Sequence, residues 1–103
     1  MITLAGVIHA TPEGIEQMAD AIKTMVAASN AEPGCHAYSF AQDVSNPSDI
    51  RVFECWESDE ALAEHFTMPH MAAFQAAMAE VTVTGMEIQK FEISSVAPFA
   101  PGD

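Results

Sequence analysis

Few side chains in this sequence can move a proton near neutral pH, and the most suggestive lie between Ser39 and Phe74. His65 stands three residues after Leu62 and directly before Phe66, on the apolar side of a short helical stretch. A histidine titrates near neutrality and can act as a general base. A lone histidine on an apolar face can equally be a core residue bonded to a backbone carbonyl. Glu54 lies mid-strand, in phase with Val52 and Trp56. Burial there would raise its pKa or force it to find a partner. His65 is the candidate partner, in the arrangement where a carboxylate orients a histidine base. The other reading puts Glu54 on an edge facing water, or holding backbone N–H groups. Trp56 offers a flat wall against which a polycyclic ring could stack, although the single Trp of a small domain is commonly core. His70 and Phe74, one turn apart, could line a mouth, or His70 could decorate a helix start. Ser39 is expected on the same sheet face as Glu54 and Trp56. His9 and His36 are expected at the surface or an interface, and Tyr38 and Cys35 in packing or a dimer face.

Composition narrows what these residues could work on. Three Lys and Arg stand against fifteen Asp and Glu, a net charge of -12 over 103 residues. Nucleic-acid affinity comes from Lys and Arg displacing counterions from phosphates, so this chain lacks the means. Anionic membrane surfaces are disfavoured for the same reason. Half of the residues are hydrophobic, which argues for a packed core rather than disorder. The length suits one domain, expected over residues 1–96, with an irregular tail at 97–103. No stretch resembles a signal peptide or a membrane span. Two cysteines make no disulfide framework, so free thiols in a cytoplasmic setting are expected. The cysteines lack zinc-ligand spacing and the four histidines are scattered, so no metal is expected.

The elements that must position these residues can be read in order. Ile2 to His9 alternates in strand fashion. Thr11 caps a helix, Pro12 suits its first position, and Glu13 favours its positive end. Ile15, Met18, Ile22 and Met25 share its buried face, and Glu32-Pro33-Gly34 ends the segment. Cys35 to Asp43 and Ile50 to Glu57 form an antiparallel hairpin around a turn-rich connection. Ser58 caps a short helix that Pro69 interrupts and restarts, running from His70 to about Glu80. Met86 to about Val96 is the last strand, with a bulge expected near Gln89 or Lys90 to mend its parity. The order is that of the α+β ferredoxin-like fold, βαββαβ with an antiparallel sheet.

Two expectations follow about the faces of that sheet. A hairpin centred near Asn46-Pro47 would put Tyr38 opposite Cys55 and Phe40 opposite Phe53. Ala37, Ser39, Ala41, Val52, Glu54 and Trp56 would then face the helices with Gly6. Small residues there leave either a ligand cavity or a space filled by some of the seven methionines. The opposite face, with Val7, Tyr38, Phe40 and Phe53, would have no helix to cover it. A second copy of the same sheet is the simplest cover, giving a homodimer.

The run Glu32-Pro33-Gly34-Cys35-x-x-Tyr38, then Asp43 and Pro47, then Glu54-x-Trp56-x-Ser58-x-Glu60-x-Leu62, and finally His65-x-x-x-Pro69-His70 resembles the antibiotic biosynthesis monooxygenase family. The resemblance spans nearly the whole chain. It implies a dimeric α+β barrel built of two ferredoxin-like domains. It implies a cofactor-independent monooxygenase acting on a quinol, an anthrone or a similar small aromatic molecule. A base, here His65, would remove a proton, and the anion would pass an electron to O₂ before the radicals recombine at carbon. The heme-degrading members of that family carry an Asn in the first strand and a His in the last helix. Gly6 and Gln75 stand at those places, so heme degradation is not expected. An isomerase or tautomerase using His65 and Glu54 is the alternative, though phosphorylated substrates would find only Lys23, Arg51 and Lys90. A ligand-binding dimer without catalysis is the third reading, and its mark would be a collapsed cavity.

Overall fold

The structure, a computed structural model, describes Met1–Gly102. Seven elements follow in order: β1 (Ile2–His9), α1 (Pro12–Asn30), β2 (Cys35–Gln42), β3 (Asp49–Trp56), α2 (Asp59–His65), α3 (Pro69–Met78) and β4 (Gly85–Glu92). The strands form one antiparallel sheet in the order β2-β3-β1-β4. This is the ferredoxin-like order expected from the sequence, with the second helix broken in two by Pro69.

Local signals account for the helix starts. The Thr11 hydroxyl accepts the Gly14 N–H at 3.0 Å and Pro12 occupies the first turn of α1. The Ser58 hydroxyl accepts the Ala61 N–H at 3.2 Å and opens α2. Each such cap satisfies a helix-end donor that no backbone carbonyl can reach. The core then forms between one sheet face and the helices. Ile8, Ile50, Val52 and Trp56 from the sheet meet Ile15, Met18 and Met25 of α1 and Phe74 of α3. Full burial of side chains of this size stabilises by about 1.5–3 kcal/mol each.

The hairpin register differs from the expectation by one residue. Tyr38 pairs with Glu54, Phe40 with Val52 and Ser39 with Phe53. The cause is the β2–β3 loop. Asp43 accepts the Ser45 N–H at 2.8 Å, Asn46 accepts the Ser48 N–H at 3.3 Å, and the Asp43 N–H reaches the Asp49 carbonyl at 2.9 Å. That closure sets Gln42 against Ile50. A one-residue slip exchanges the faces of a strand, so Tyr38 and Phe40 turn toward the helices and Ser39 turns away, exposed. The irregularity lies between Cys35 and Ala37, not in the last strand. β4 pairs with β1 without interruption, from His9 with Gly85 to Ile2 with Glu92. The parity change in β4 reflects apolar side chains on both faces, Ile88 on one and Phe91 on the other.

Gly6 is required where these two strands meet. A Cβ at that position would sit 2.0 Å from the Glu87 carbonyl oxygen and 2.6 Å from the Ile88 Cα. The face away from the helices carries Phe53 and Phe91, each nearly half exposed. Among the described residues no helix is long and apolar enough to cross a membrane.

Candidate active site

A cavity of about 280 Å³ lies between the sheet and the helices. Leu4, Ile8, Tyr38, Phe40 and Glu54 form its floor, and Phe66, Met71, Phe74, Gln75 and Met78 its roof. Met86 and Ile88 of the edge strand β4 complete the lining, and with Phe66 they are exposed, which places the mouth at that edge. The floor residues follow from strand alternation once the register is fixed. Every second position of β1, β2 and β3 points the same way.

Glu54 is the one charged side chain in this lining. It is 6% exposed. Its Oε1 accepts the Trp56 indole N–H at 3.0 Å. Burial raises its pKa above the ordinary carboxylate range, while the Trp56 hydrogen bond and the nearby His65 pull in the opposite direction. The result is a carboxylate kept more basic than usual beside an apolar space. Across from it Gln75 offers a neutral amide.

His65 lies one ring deeper. It is 1% exposed, 4.6 Å between ring centres from Trp56 and 5.4 Å from Tyr38. Its partner is Glu32, not Glu54: His65 Nδ1 stands 2.7 Å from Glu32 Oε2. His70 Nε2 reaches the same oxygen at 2.8 Å. His70 is therefore drawn away from the cavity mouth. A chain of contacts results, from Glu32 through His65 to Trp56 and on to Glu54.

The candidates from sequence thus separate. Glu54 and Phe74 line the cavity. Trp56 is fully buried beneath it, so it supports Glu54 instead of offering a stacking wall. Phe40 and Phe74, edge to face at 5.5 Å, supply aromatic surface in its place. Ser39 lies on the far side of the sheet and is not part of the site. Tyr38, expected in packing or a dimer face, is buried and lines the cavity. Its phenol is far from ionising at neutral pH, chiefly through burial and then through the charge of Glu54. His9 and His36 are at the surface as expected, each paired with acids: His9 with Asp49 and Glu87, His36 with Glu57. Both cysteines are free, and burial followed by the Glu32 charge pushes the Cys35 thiol up to about 11.

Glu32 was missed as a site residue. In sequence it reads as part of the Glu-Pro-Gly terminator after α1 and as the first residue of the run that carries the family resemblance. No local pattern marks it, because its partners His65 and His70 lie more than thirty residues away.

This arrangement sits on a fold with known counterparts. The family model of antibiotic biosynthesis monooxygenases matches residues 1–77. The chain belongs to that family. The uncharacterised protein sll1783 of Synechocystis is 30% identical over 93 residues. That match covers 90% of this chain and 63% of the Synechocystis protein, so the chain spans under two-thirds of that relative. A Deinococcus radiodurans structure provisionally assigned to the same family superposes with a TM-score of 0.85 at 22% identity, covering 97% of this chain and 99% of the other. A Bacteroides thetaiotaomicron protein of unknown function, described as a possible oxidoreductase, gives 0.79 at 27% identity over 89% and 96%.

Proposed function

We propose that this chain is a cofactor-independent monooxygenase for a small, neutral, electron-rich aromatic molecule such as a quinol or anthrone. The observation that carries the reading is Glu54: a buried, more basic carboxylate set in the wall of an apolar, aromatic-lined cavity. At about 280 Å³ the cavity is near the lower end of ligand pockets, about 300–1,000 Å³. It suits two or three fused rings. No Lys or Arg lines it, which fits a neutral ligand and disfavours a phosphorylated one. The cavity is open, whereas a collapsed cavity is the mark expected of a dimer without catalysis.

Glu54 takes the role of base and His65 that of a positioning residue. A general base must lie within hydrogen-bond reach of the proton it removes. Glu54 lines the cavity, whereas His65 is not part of the lining and packs against Tyr38 and Trp56. With a substrate CH₂ or phenolic O–H against it, Glu54 accepts the proton. The substrate anion gives one electron to O₂, and the substrate radical and superoxide combine at carbon. Glu54 returns its proton to the peroxide, and loss of water leaves a C=O. One O₂ is consumed per substrate, one oxygen atom ending in product and one in water. The protein contributes orientation, exclusion of water and proton transfer.

The working unit in this reading is a homodimer through the open sheet face. Phe53 and Phe91 give that face an apolar character that a second copy would bury.

Oxygen consumption by the chain with reduced naphthoquinone or anthrone, using ¹⁸O₂, tests the reading. One labelled oxygen in the product supports it. Turnover under anaerobic conditions, with solvent deuterium entering a carbonyl substrate, would instead assign the same carboxylate to an isomerase or tautomerase.

A further inference from the structure

Two of the four histidines that look scattered in sequence, His65 and His70, converge on Glu32. His65 ends α2, His70 lies in the first turn of α3, and Glu32 follows α1. We propose that Glu32, His65 and His70 form a binding site for a divalent first-row transition metal ion, with zinc the ion used to test it.

Three features support this site. The donor set is two imidazoles and one carboxylate, which suits zinc and its neighbours. The three ligand atoms, His65 Nδ1, His70 Nε2 and one Glu32 oxygen, lie within 4.8 Å of one another. All are sheltered: the side chains of His65, Glu32 and His70 are 1%, 8% and 15% exposed. Three shielded donors from three separate segments differ from a solvated acidic surface, where carboxylates gather without a ligand.

The present spacing is that of two N–H groups donating to one carboxylate oxygen, at 2.7 and 2.8 Å. A tetrahedral ion with bonds of about 2.0–2.1 Å needs donors about 3.3 Å apart, so shifts of about half an ångström open the cluster. Binding requires both coordinating nitrogens in unprotonated form, with the ring proton on the other nitrogen, so it weakens as pH falls. Solvent supplies the remaining position from the His70 side, the more exposed of the three. The net charge of -12 favours attraction of a cation. A bound ion would fasten the end of α1 to the α2–α3 junction, and so hold the helices that roof the cavity. The inference is independent of the monooxygenase reading.

The test is calorimetric titration of the EDTA-stripped 103-residue chain with Zn²⁺, beside the visible spectrum after Co²⁺ addition. The site predicts one equivalent bound with a micromolar or tighter constant, and intense tetrahedral Co²⁺ bands. His70→Ala and Glu32→Gln should weaken binding by at least about tenfold, the lower range seen even for outer-shell partners of metals, and should abolish the bands. His36→Ala, at an exposed histidine outside the cluster, should bind as the wild type does. Far-UV circular dichroism checks each variant. Should His70→Ala fail to fold, the volume-conserving Glu32→Gln carries the comparison. Absence of a saturable one-equivalent event, or equal affinity in wild type and Glu32→Gln, overturns the site.

Discussion

Glu54 faces two opposing demands. Burial makes it a better base and a worse contributor to folding. Its pKa in the folded chain is raised above 4.5, with burial the largest cause. A raised folded-state pKa contributes stability below the unfolded value, and that contribution is lost as pH rises through the folded value. At neutral pH the ionised form therefore opposes folding. Glu54→Gln keeps an oxygen for the Trp56 N–H and removes the buried charge. It should raise the melting temperature at pH 7, with the difference from wild type vanishing as pH falls toward 4, a comparison that thermal melts at several pH values make directly. The same variant should lose activity by about 10²–10⁴-fold, the usual contribution of a positioned base. His65→Ala should cost less and act through Trp56. Of the residues that sequence singles out, Glu54 and Phe74 line the cavity, Trp56 and His65 are buried next to each other outside its lining, and Ser39 is exposed on the other face of the sheet. Their partners were not legible in sequence. Glu32 reaches His65 across thirty-three positions of chain, and no local pattern carries that information. Trp56 was legible as large and aromatic, but its place under the cavity floor depends on packing.

At the scale of elements, the strands, both capped helices and the Pro69 break follow from alternation, caps and proline. The register does not. It is set by side-chain hydrogen bonds within the Asp43–Ser48 loop, whose geometry a turn-rich sequence leaves open, and it decided which face Ser39, Tyr38 and Phe40 occupy. Two strand positions offer tests. Gly6→Ala would drive a methyl into the β4 backbone. It should destabilise by at least the 1–3 kcal/mol typical of overpacking, read by chemical denaturation, with amide exchange showing loss of protection in β4 first. His9 sits between Glu87 at 2.6 Å and Asp49 at 2.7 Å, joining three strands at one end of the sheet. Its pKa is raised, first by the Glu87 hydrogen bond and then by that to Asp49. By linkage, the stabilising contribution of His9 is complete below about 6.5, the ordinary value for histidine, and lost as pH rises through the folded value. Melting temperatures measured from about pH 6 to pH 9 should fall more in wild type than in His9→Gln.

At the scale of the whole molecule, charge and symmetry govern. The acidic residues at helix starts and on helix faces are ordinary solvated surface, and the scarcity of Lys and Arg is what narrows the ligand. The proposed homodimer rests on the open sheet face. In solution the chain should have twice the single-chain mass of 11.0 kDa, by light scattering after gel filtration. Phe53→Asp, which places a charge at the centre of that face, should yield single chains without lowering secondary structure. In the proposed reaction Glu54, at the wall of this cavity, starts oxygen consumption on a neutral aromatic substrate. Its most direct test is the oxygen-uptake rate with a reduced naphthoquinone for wild type, His65→Ala and Glu54→Gln at equal protein concentration. Uptake by wild type should depend on substrate, with a partial loss in His65→Ala and near-complete loss in Glu54→Gln. Equal rates for wild type and Glu54→Gln would contradict Glu54 as the base.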